Sequence, residues 1–442
     1  GGLCMDVVML SRIQFGLAAG VHFIFPSLTL GLTLLVLIYE YKFYKTDDDI
    51  FKTISSFFIK ILGLVFALGV ATGIVLEFSF GTNWAEYSRM VGDIFGAPLA
   101  AEGIFAFFLE SVFLGVLLFA RNRVSKKVYL LSAFLVFFGS HLSGLWIIIA
   151  NSWMQTPAGF AIEGGRAVLT NFWAAALNPS TLVRFAHVII AGWITGSLFA
   201  AGIAAWYLIK RLHTNEAQHI LKTALIIFCI MSLAQFASGH IHSVQVTRIQ
   251  PEKMATFEAL WQTQQGAPMS IIGIPVESQK KTYYEIKIPK LLSLLAYFDP
   301  NAEVKGRDAF PDDELPPVVL PYFSYHIMIG LGSLFALIGI ISIVLLLTKK
   351  LFNARWFWYV LFFAIPLPII ANEFGWIAAE VGRQPWAVYK VLKTADAVSI
   401  IVPASHVAFS LVILSLIYLM LIVMFIMILT KIIKKGPQSE IY

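Results

Sequence analysis

Long apolar runs dominate this chain and recur between short polar connections. About 20 consecutive apolar residues suffice for one helical crossing of a lipid bilayer. On that basis the pattern predicts nine spans, at 14–40, 54–80, 96–120, 128–150, 181–210, 219–240, 322–348, 356–378 and 400–431. Runs of this length favour helices over a β-barrel, whose alternating strands give a much weaker signal.

Composition supports a membrane protein. The chain has 442 residues, of which 58% are hydrophobic and 13% charged, and a soluble protein carries about twice that charged fraction. The net charge of +6 does not indicate nucleic-acid binding, because the basic residues lie in short loops between spans. The two cysteines, Cys4 and Cys229, predict neither a disulfide framework nor a thiolate metal site. We read Gly1 to Cys4 as a remnant of processing, with Met5 as the natural start, and expect no cleavable signal peptide.

The basic residues orient the spans. They follow spans one, three, five, seven and nine: Lys42, Lys45, Lys52, Arg121, Arg123, Lys126, Lys127, Lys210, Arg211, Lys349, Lys350, Arg355, Lys431, Lys434 and Lys435. Because loops rich in Lys and Arg stay in the cytoplasm, the amino terminus is expected outside and the carboxyl terminus inside. The segment 241–321 then lies outside the cytoplasm, and 245–261 within it predicts an amphipathic helix. A connection this long is usually functional or disordered.

Five potential iron ligands share one predicted layer in the outer half of the bilayer: His22, Glu102, His187, Met328 and Glu373. A single His or Met in a span is usually a packing residue, but a carboxylate there costs about 2.5–3.5 kcal/mol. The common depth therefore favours a cofactor. A His and Met pair suits an electron-transfer haem, and a single ligand suits a haem that binds oxygen. Because the chain has no Cys-x-x-Cys-His sequence, any haem is expected to be bound non-covalently.

A proton path is predicted next to this layer. Glu110 lies eight residues beyond Glu102, about 12 Å nearer the cytoplasm along a helix. The antiparallel fourth span brings Ser140 and His141 to the depth of Glu110. We favour a relay through Glu102, Glu110 and Ser140 over packing of Glu110 across helices, and leave His141 open between the two.

Charged and aromatic residues lie at the outer surface. Taken alone, Lys253 and Glu258 read as solvated charges, since five residues is not an ideal helix spacing for an ion pair. Arg12 and Arg383 suit bidentate pairing with haem propionates, with contact to lipid headgroups or loops as the alternative. Three tryptophans are expected in an interfacial aromatic belt: Trp84, Trp153 and Trp386.

Several motifs resemble subunit I of the cytochrome bd-type quinol oxidases, including their cyanide-insensitive branch. They are SRIQF at 11–15, the run 69–84 ending in FGTNW, the run 92–110 with DIFGAP, NSWMQT at 151–156, and GWIAAEVGRQPW at 375–386. The resemblance covers essentially the whole chain, and the last motif is highly specific. It implies an all-α integral membrane protein of nine transmembrane helices, in two four-helix bundles plus a peripheral helix. It also implies a homologous subunit II, with small single-helix subunits left open, and the bacterial inner membrane as location.

The resemblance also implies roles for the candidate residues. His187 and Met328 would hold a low-spin haem b. His22 and Glu373 would serve two high-spin haems, one a haem b and one a haem d or a further haem b. The remaining roles are as follows: Glu102 as a further carboxylate at the oxygen-reducing haem, Glu110 in the proton path, Lys253 and Glu258 in quinol binding, and Arg12, Arg383 and Trp386 around the cofactors. The chain would then divide into 5–240, the quinol-binding loop 241–321, and 322–442.

Two positions depart from the family pattern: His326 stands where many relatives carry Arg, and Ile369 where several carry Trp. Three other interpretations remain open. A proton-coupled transporter would also keep carboxylates in its spans. A haem b subunit could pass electrons between quinone and another enzyme, and a structural subunit could have lost its cofactors.

Overall fold

The computed structural model describes residues 6–438, so the expectations for Gly1 to Cys4 and for Met5 lie outside the described residues. Within 6–438, nine helices are long and apolar enough to cross a membrane, which confirms the predicted number. In chain order, spans 1 to 9 are Val7–Thr46, Asp49–Thr82, Ala85–Phe119, Lys126–Gln155, Thr181–Lys210, Thr214–Ile249, Val319–Leu347, Arg355–Val381 and Ala404–Lys435. Span 3 begins well before the predicted residue 96, because its first turns carry polar residues that hydropathy leaves out.

Two spans are interrupted. Span 3 consists of α-helices Ala85–Ala101 and Phe108–Phe119, joined by a π-helical turn at Glu102–Phe107. Span 8 consists of Arg355–Phe363 and Leu367–Val381. Pro366 lies in the second interruption, where its missing N–H removes a helical hydrogen bond. Both interrupted spans carry candidate ligands.

The spans form two bundles. Spans 1 to 4 pack in a ring, spans 5 to 8 pack in a second ring, and span 9 packs on the outside of spans 1 and 2. Span 1 joins the two bundles by packing against span 5. A Cβ on Gly31 would lie 2.5 Å from the Cα of Gly196, so only glycine allows this close approach of two backbones. The predicted architecture of two four-helix bundles and a peripheral helix is confirmed.

The connection between spans 6 and 7 is structured. Span 6 continues to Ile249, and a separate short helix, Pro251–Phe257, follows it; we call this the loop helix. The predicted single helix over 245–261 is therefore wrong. Span 6 ends before Gln250 because the ring of the following residue, Pro251, disfavours helical backbone angles at Gln250. The remaining elements of the connection are strands Gln264–Gln265, Met269–Val276, Lys281–Ile288 and Glu303–Val304, and short helices Glu277–Gln279, Leu291–Tyr297, Arg307–Ala309 and Asp312–Glu314.

Short elements also cover the bundle ends after spans 4, 7 and 8. They are Phe160–Glu163, Arg166–Leu169, Phe172–Ala176, Leu351–Asn353, Trp386–Val388, Leu392–Lys393 and Thr394–Asp396. Those after spans 4 and 8 cover Trp84 and Trp153, which are 9% and 1% exposed. The Trp153 indole donates a hydrogen bond to the Ala158 carbonyl at 2.9 Å. The predicted belt position is therefore wrong for these two tryptophans, which are core residues under the covering segments.

Candidate functional site

His22 on span 1 is oriented by span 2. Its Nδ1 lies 3.0 Å from the Thr72 hydroxyl, and that hydroxyl donates its own proton to the Leu68 carbonyl. Thr72 must therefore accept from His22 Nδ1–H, which leaves Nε2 as the basic nitrogen. A fixed tautomer of this kind is what a metal-ligating histidine requires. A Cβ on Gly73 would lie 3.1 Å from the imidazole, so this glycine makes room for the ring.

Glu373 on span 8 points toward span 1. Its Oε2 lies 3.3 Å from where a Cβ on Gly20 would stand, two residues from His22. Its Oε1 is buried without a hydrogen-bond partner among the described residues. An unsatisfied buried carboxylate oxygen is costly, so this position needs a proton, a cation or a metal.

The other pair of candidate ligands lies in the second bundle. His187 on span 5 has Nδ1 3.1 Å from the Ser238 hydroxyl of span 6, and Gln235 Nε2 lies 3.1 Å from its Nε2. On span 7, the Met328 sulfur lies 2.8 Å from where a Cβ on Gly375 of span 8 would stand. Here too a glycine leaves the space beside a candidate ligand free.

Glu102 is the first residue of the π-helical turn of span 3. Its Oε1 accepts a hydrogen bond from the Ser143 hydroxyl of span 4 at 2.8 Å. Ser143 was not among the predicted residues. π-Helical turns are uncommon and occur often at functional sites, which fits the predicted role of Glu102.

Glu110 lies further along span 3 and is 6% exposed. Its Oε1 has no partner among the described residues. Ser140 reaches this depth, since a Cβ on its neighbour Gly139 would lie 3.2 Å from the Glu110 Cβ. The Ser140 hydroxyl, however, donates to Phe137 and lies 3.3 Å from Thr33, so the structure does not bring it to either carboxylate.

His141 is held by two neighbours. Its Nδ1 lies 2.7 Å from the Phe137 carbonyl and therefore donates, while its Nε2 accepts from the Trp193 indole at 3.0 Å. Both ring nitrogens of a neutral imidazole are thus used. This arrangement favours the packing interpretation that the sequence left open.

The loop helix is packed into the protein. Lys253 is 2% exposed and donates to the Gln155 side-chain carbonyl at 2.5 Å. The Gln155 amide nitrogen in turn lies 3.3 Å from Glu380 Oε1 on span 8. Burial, reinforced by nearby Arg184 and Arg383, lowers the pKa of Lys253 well below its ordinary value. The solvated interpretation of this lysine is wrong.

Positive charge is in excess around Glu380. Arg383 Nη2 lies 2.6 Å from Glu380 Oε2, and Arg184 Nη2 lies 3.8 Å from Oε1. With Lys253, three buried basic side chains lie beside two carboxylates, Glu380 and Glu252. Donors without partners among the described residues remain at Arg184 Nε, Arg383 Nη1 and Trp386 Nε1. Such a site favours a further anion.

Arg12 lies half-buried in the first turns of span 1.

Glu258 follows the loop helix and is 3% exposed, so the solvated interpretation is wrong here as well. Its Oε2 accepts a hydrogen bond from the Ser270 backbone N–H at 2.9 Å, and its Oε1 has no partner among the described residues. Burial raises the pKa of Glu258 to about 8. The group can therefore take up or release a proton near neutral pH.

These residues fit haem. The imidazole of His22 presents a basic Nε2, the Met328 thioether faces a glycine, and the Glu373 carboxylate keeps one oxygen without a partner. Imidazole, thioether and carboxylate are a ligand set for iron. The donors on Arg383 and Trp386 suit propionates.

Sequence reasoning missed several supporting residues. Arg184 could have been found, because it is a charged residue inside a predicted span, one turn from His187. Hydroxyl residues such as Thr72 and Ser143 are common in spans and carry no such signal. Gln155 lies in a motif that the sequence singled out, but its link to Lys253 depends on tertiary structure.

Known proteins resemble this chain in sequence and in fold. Residues 10–437 match the family described as "Cytochrome bd terminal oxidase subunit I". Cytochrome bd ubiquinol oxidase subunit 1 of Bacillus subtilis (strain 168) is 36% identical, over 99% of this chain and 95% of that protein. Cytochrome bd-II ubiquinol oxidase subunit 1 of Escherichia coli (strain K12) is 35% identical, over 98% of each. The structure of bd oxidase from Geobacillus thermodenitrificans contains a chain that matches with a TM-score of 0.91 and 30% identity, covering 98% of this chain and 99% of that one.

Proposed function

Since this chain belongs to the cytochrome bd terminal oxidase subunit I family, we propose that it both oxidises quinol and reduces dioxygen. Membership implies a haem-containing, multi-pass enzyme of the bacterial inner membrane that acts on quinol together with a subunit II. The transporter, the electron-shuttling subunit and the cofactor-free subunit lose their support. The amino terminus would lie outside and the carboxyl terminus in the cytoplasm, as the basic loops indicate.

Three haems would be held by this chain. His187 and Met328 would ligate a low-spin haem b, and His22 and Glu373 would serve the two high-spin haems, one a haem b and one a haem d or a further haem b. Bound haem would carry the electrons and supply the iron at which dioxygen is reduced. Thr72 would keep His22 in the ligating tautomer.

Quinol would be oxidised beside the loop helix. Ionised Glu258 would accept a quinol hydroxyl proton at Oε1, while the Ser270 N–H holds Oε2 in place. Lys253, positioned by Gln155, would donate a hydrogen bond to a quinol oxygen. Because the loop would lie outside the cytoplasm, the quinol protons would be released on that side.

Protons for oxygen reduction would come from the other side. Glu110 would receive them and pass them to Glu102, whose carboxylate Ser143 orients. Uptake inside and release outside would build a proton motive force without a pump.

The proposal rests on one series of hydrogen bonds. Lys253 reaches Glu380 through Gln155, so the loop helix is joined to the span that bears Glu373. The test is to purify the complex with its subunit II, measure its haem content by pyridine haemochrome spectra, and record oxygen uptake with added quinol. We expect three haems and quinol-driven uptake. Colourless protein, or haem without quinol-driven uptake, would contradict the proposal.

A further inference from the structure

A two-stranded hairpin in the connection between spans 6 and 7 exposes an apolar face. The hairpin, Met269–Val276 paired with Lys281–Ile288, places Ile272 opposite Ile286 and Ile274 opposite Tyr283. Ile272, Ile274 and Ile286 are 57%, 50% and 62% exposed. Contiguous exposed apolar side chains usually mark a contact surface.

The other face of the hairpin fixes its depth against span 7. The Ser270 carbonyl lies 2.9 Å from His326 Nε2, and the Ser270 hydroxyl lies 2.8 Å from the Tyr322 hydroxyl. A Cβ on Gly273 would lie 3.0 Å from the same Tyr322 hydroxyl. The first half of strand Met269–Val276 therefore lies beside the turn of span 7 between Tyr322 and His326.

That turn falls at the edge of the membrane. Span 7 has 29 residues, or about 43 Å at 1.5 Å per residue, whereas the hydrocarbon core is about 30 Å thick. The opposite end is marked by Lys349 and Lys350, directly after the helix. About 20 residues counted back from Leu347 reach Met328. His326 then lies about 3 Å beyond the hydrocarbon core, within the headgroup layer, and Tyr322 about 9 Å beyond it, at the outer limit of that layer. The first half of strand Met269–Val276, with Ile272 and its partner Ile286, lies at this level, whereas the hairpin turn lies further out, where Glu277 accepts a hydrogen bond from the Val318 N–H.

Its composition suits that layer. Tyr284 is 87% exposed, and the Lys281 amine lies 5.0 Å from the centre of the Tyr283 ring. Lys280, Lys281 and Lys287 are also exposed. Lys280 lies 3.6 Å from Asp312 and Lys287 lies 2.7 Å from Glu285, whereas Lys281 has no carboxylate partner among the described residues. Tyrosine is enriched at membrane interfaces, and lysine attracts lipid phosphates while its alkyl chain stays in apolar surroundings.

We propose that the apolar face of this hairpin lies in the lipid headgroup layer at its end of the bundle. Ile272 and Ile286 contact lipid there. The lipid contact does not depend on the proposed function. A consequence of this contact rests on the proposed function. Ser270, at the base of the hairpin, donates a hydrogen bond to the Glu258 carboxylate. One short strand therefore joins the lipid surface, from which a lipid-soluble quinol would arrive, to the acid that would accept the quinol proton.

The test uses spin labels in the complete complex. In a background with Cys4→Ser and Cys229→Ser, a label is placed at Ile286→Cys, and a matched label at Gln265→Cys, an exposed position elsewhere in the connection. The complex is reconstituted in nanodiscs of phosphatidylcholine and phosphatidylglycerol. Relaxation of each label by oxygen, which concentrates in lipid, is compared with relaxation by a water-soluble nickel chelate.

We expect the label at 286 to be relaxed by oxygen and shielded from nickel, and the label at 265 to show the reverse. Access of nickel to position 286 equal to that at 265 would overturn the proposal. Shielding of 286 from both agents would also overturn it, because protein would then cover the face. Neither readout requires turnover, so a failure of the quinol oxidase proposal would be seen separately.

Discussion

Glu258 offers the sharpest test of the quinol site, because its protonation should set the rate. Burial of this carboxyl raises its pKa from 4.5 to about 8. At about 1.36 kcal/mol per unit, ionising it in place costs about 5 kcal/mol more than in water. The ionised fraction is then about 1% at pH 6 and about 9% at pH 7. Since only the ionised form can accept a quinol proton, the rate should follow this fraction.

The assay is quinol-driven oxygen uptake at limiting quinol. Under these conditions kcat/KM reports groups of the free enzyme, so the value refers to Glu258 before quinol binds. We expect kcat/KM to rise nearly tenfold from pH 6 to pH 7 and to level off above about pH 8. The direction follows from the sign of the shift: a raised pKa keeps the base protonated at low pH, and activity appears as pH increases.

Two variants separate this cause from others. Glu258→Gln should lose most activity, by a factor of about 10²–10⁴, and the remainder should no longer rise with pH. Glu285→Gln alters a neighbouring carboxylate that pairs with Lys287 at 2.7 Å, and it should keep the rise with pH. Because the Glu285 charge helps to raise the pKa of Glu258, the rise should move to lower pH. A flat wild-type profile between pH 6 and pH 8, or an unchanged slope in Glu258→Gln, would refute the assigned role.

Three further substitutions test other parts of the site. Gly375→Ala puts a Cβ 2.8 Å from the Met328 sulfur and should displace the sulfur, at a cost of about 1–3 kcal/mol. The spectrum of the low-spin haem should therefore change. The control Gly332→Ala, with nothing within 4 Å of its Cβ, should leave that spectrum intact. Gln155→Leu removes the acceptor of the loop lysine, and KM for quinol should rise about tenfold, for a lost charged hydrogen bond of about 1.5 kcal/mol, with haem spectra unchanged. Ser143→Ala should slow oxygen uptake about tenfold or more while haem content stays normal; an unchanged rate would count against this orienting role.

The nine spans were predictable from hydropathy, and the candidate ligands were proposed from the cost of polar groups inside a membrane. A bilayer core tolerates only long apolar helices, and a carboxylate such as Glu373 stands out there because of its cost. The burial of Lys253 and Glu258 was not predictable on these grounds. Local spacing describes one helix, whereas these side chains are buried by contacts with Gln155 and Ser270, which are distant in sequence.

The orientation of Glu102 relative to Glu110 around span 3 could not be predicted from ideal α-helix geometry. Eight residues of α-helix turn through about 800°, which would leave the two carboxylates about 80° apart around span 3. The π-helical turn between them takes in one extra residue, or about 100°, and reduces the offset to about 20°. The contacts agree: Glu102 meets Ser143 and Glu110 meets Gly139, two residues four apart on one face of span 4. The distortion thus turns both acids toward the same neighbouring helix, as the proposed transfer of a proton from one to the other would require.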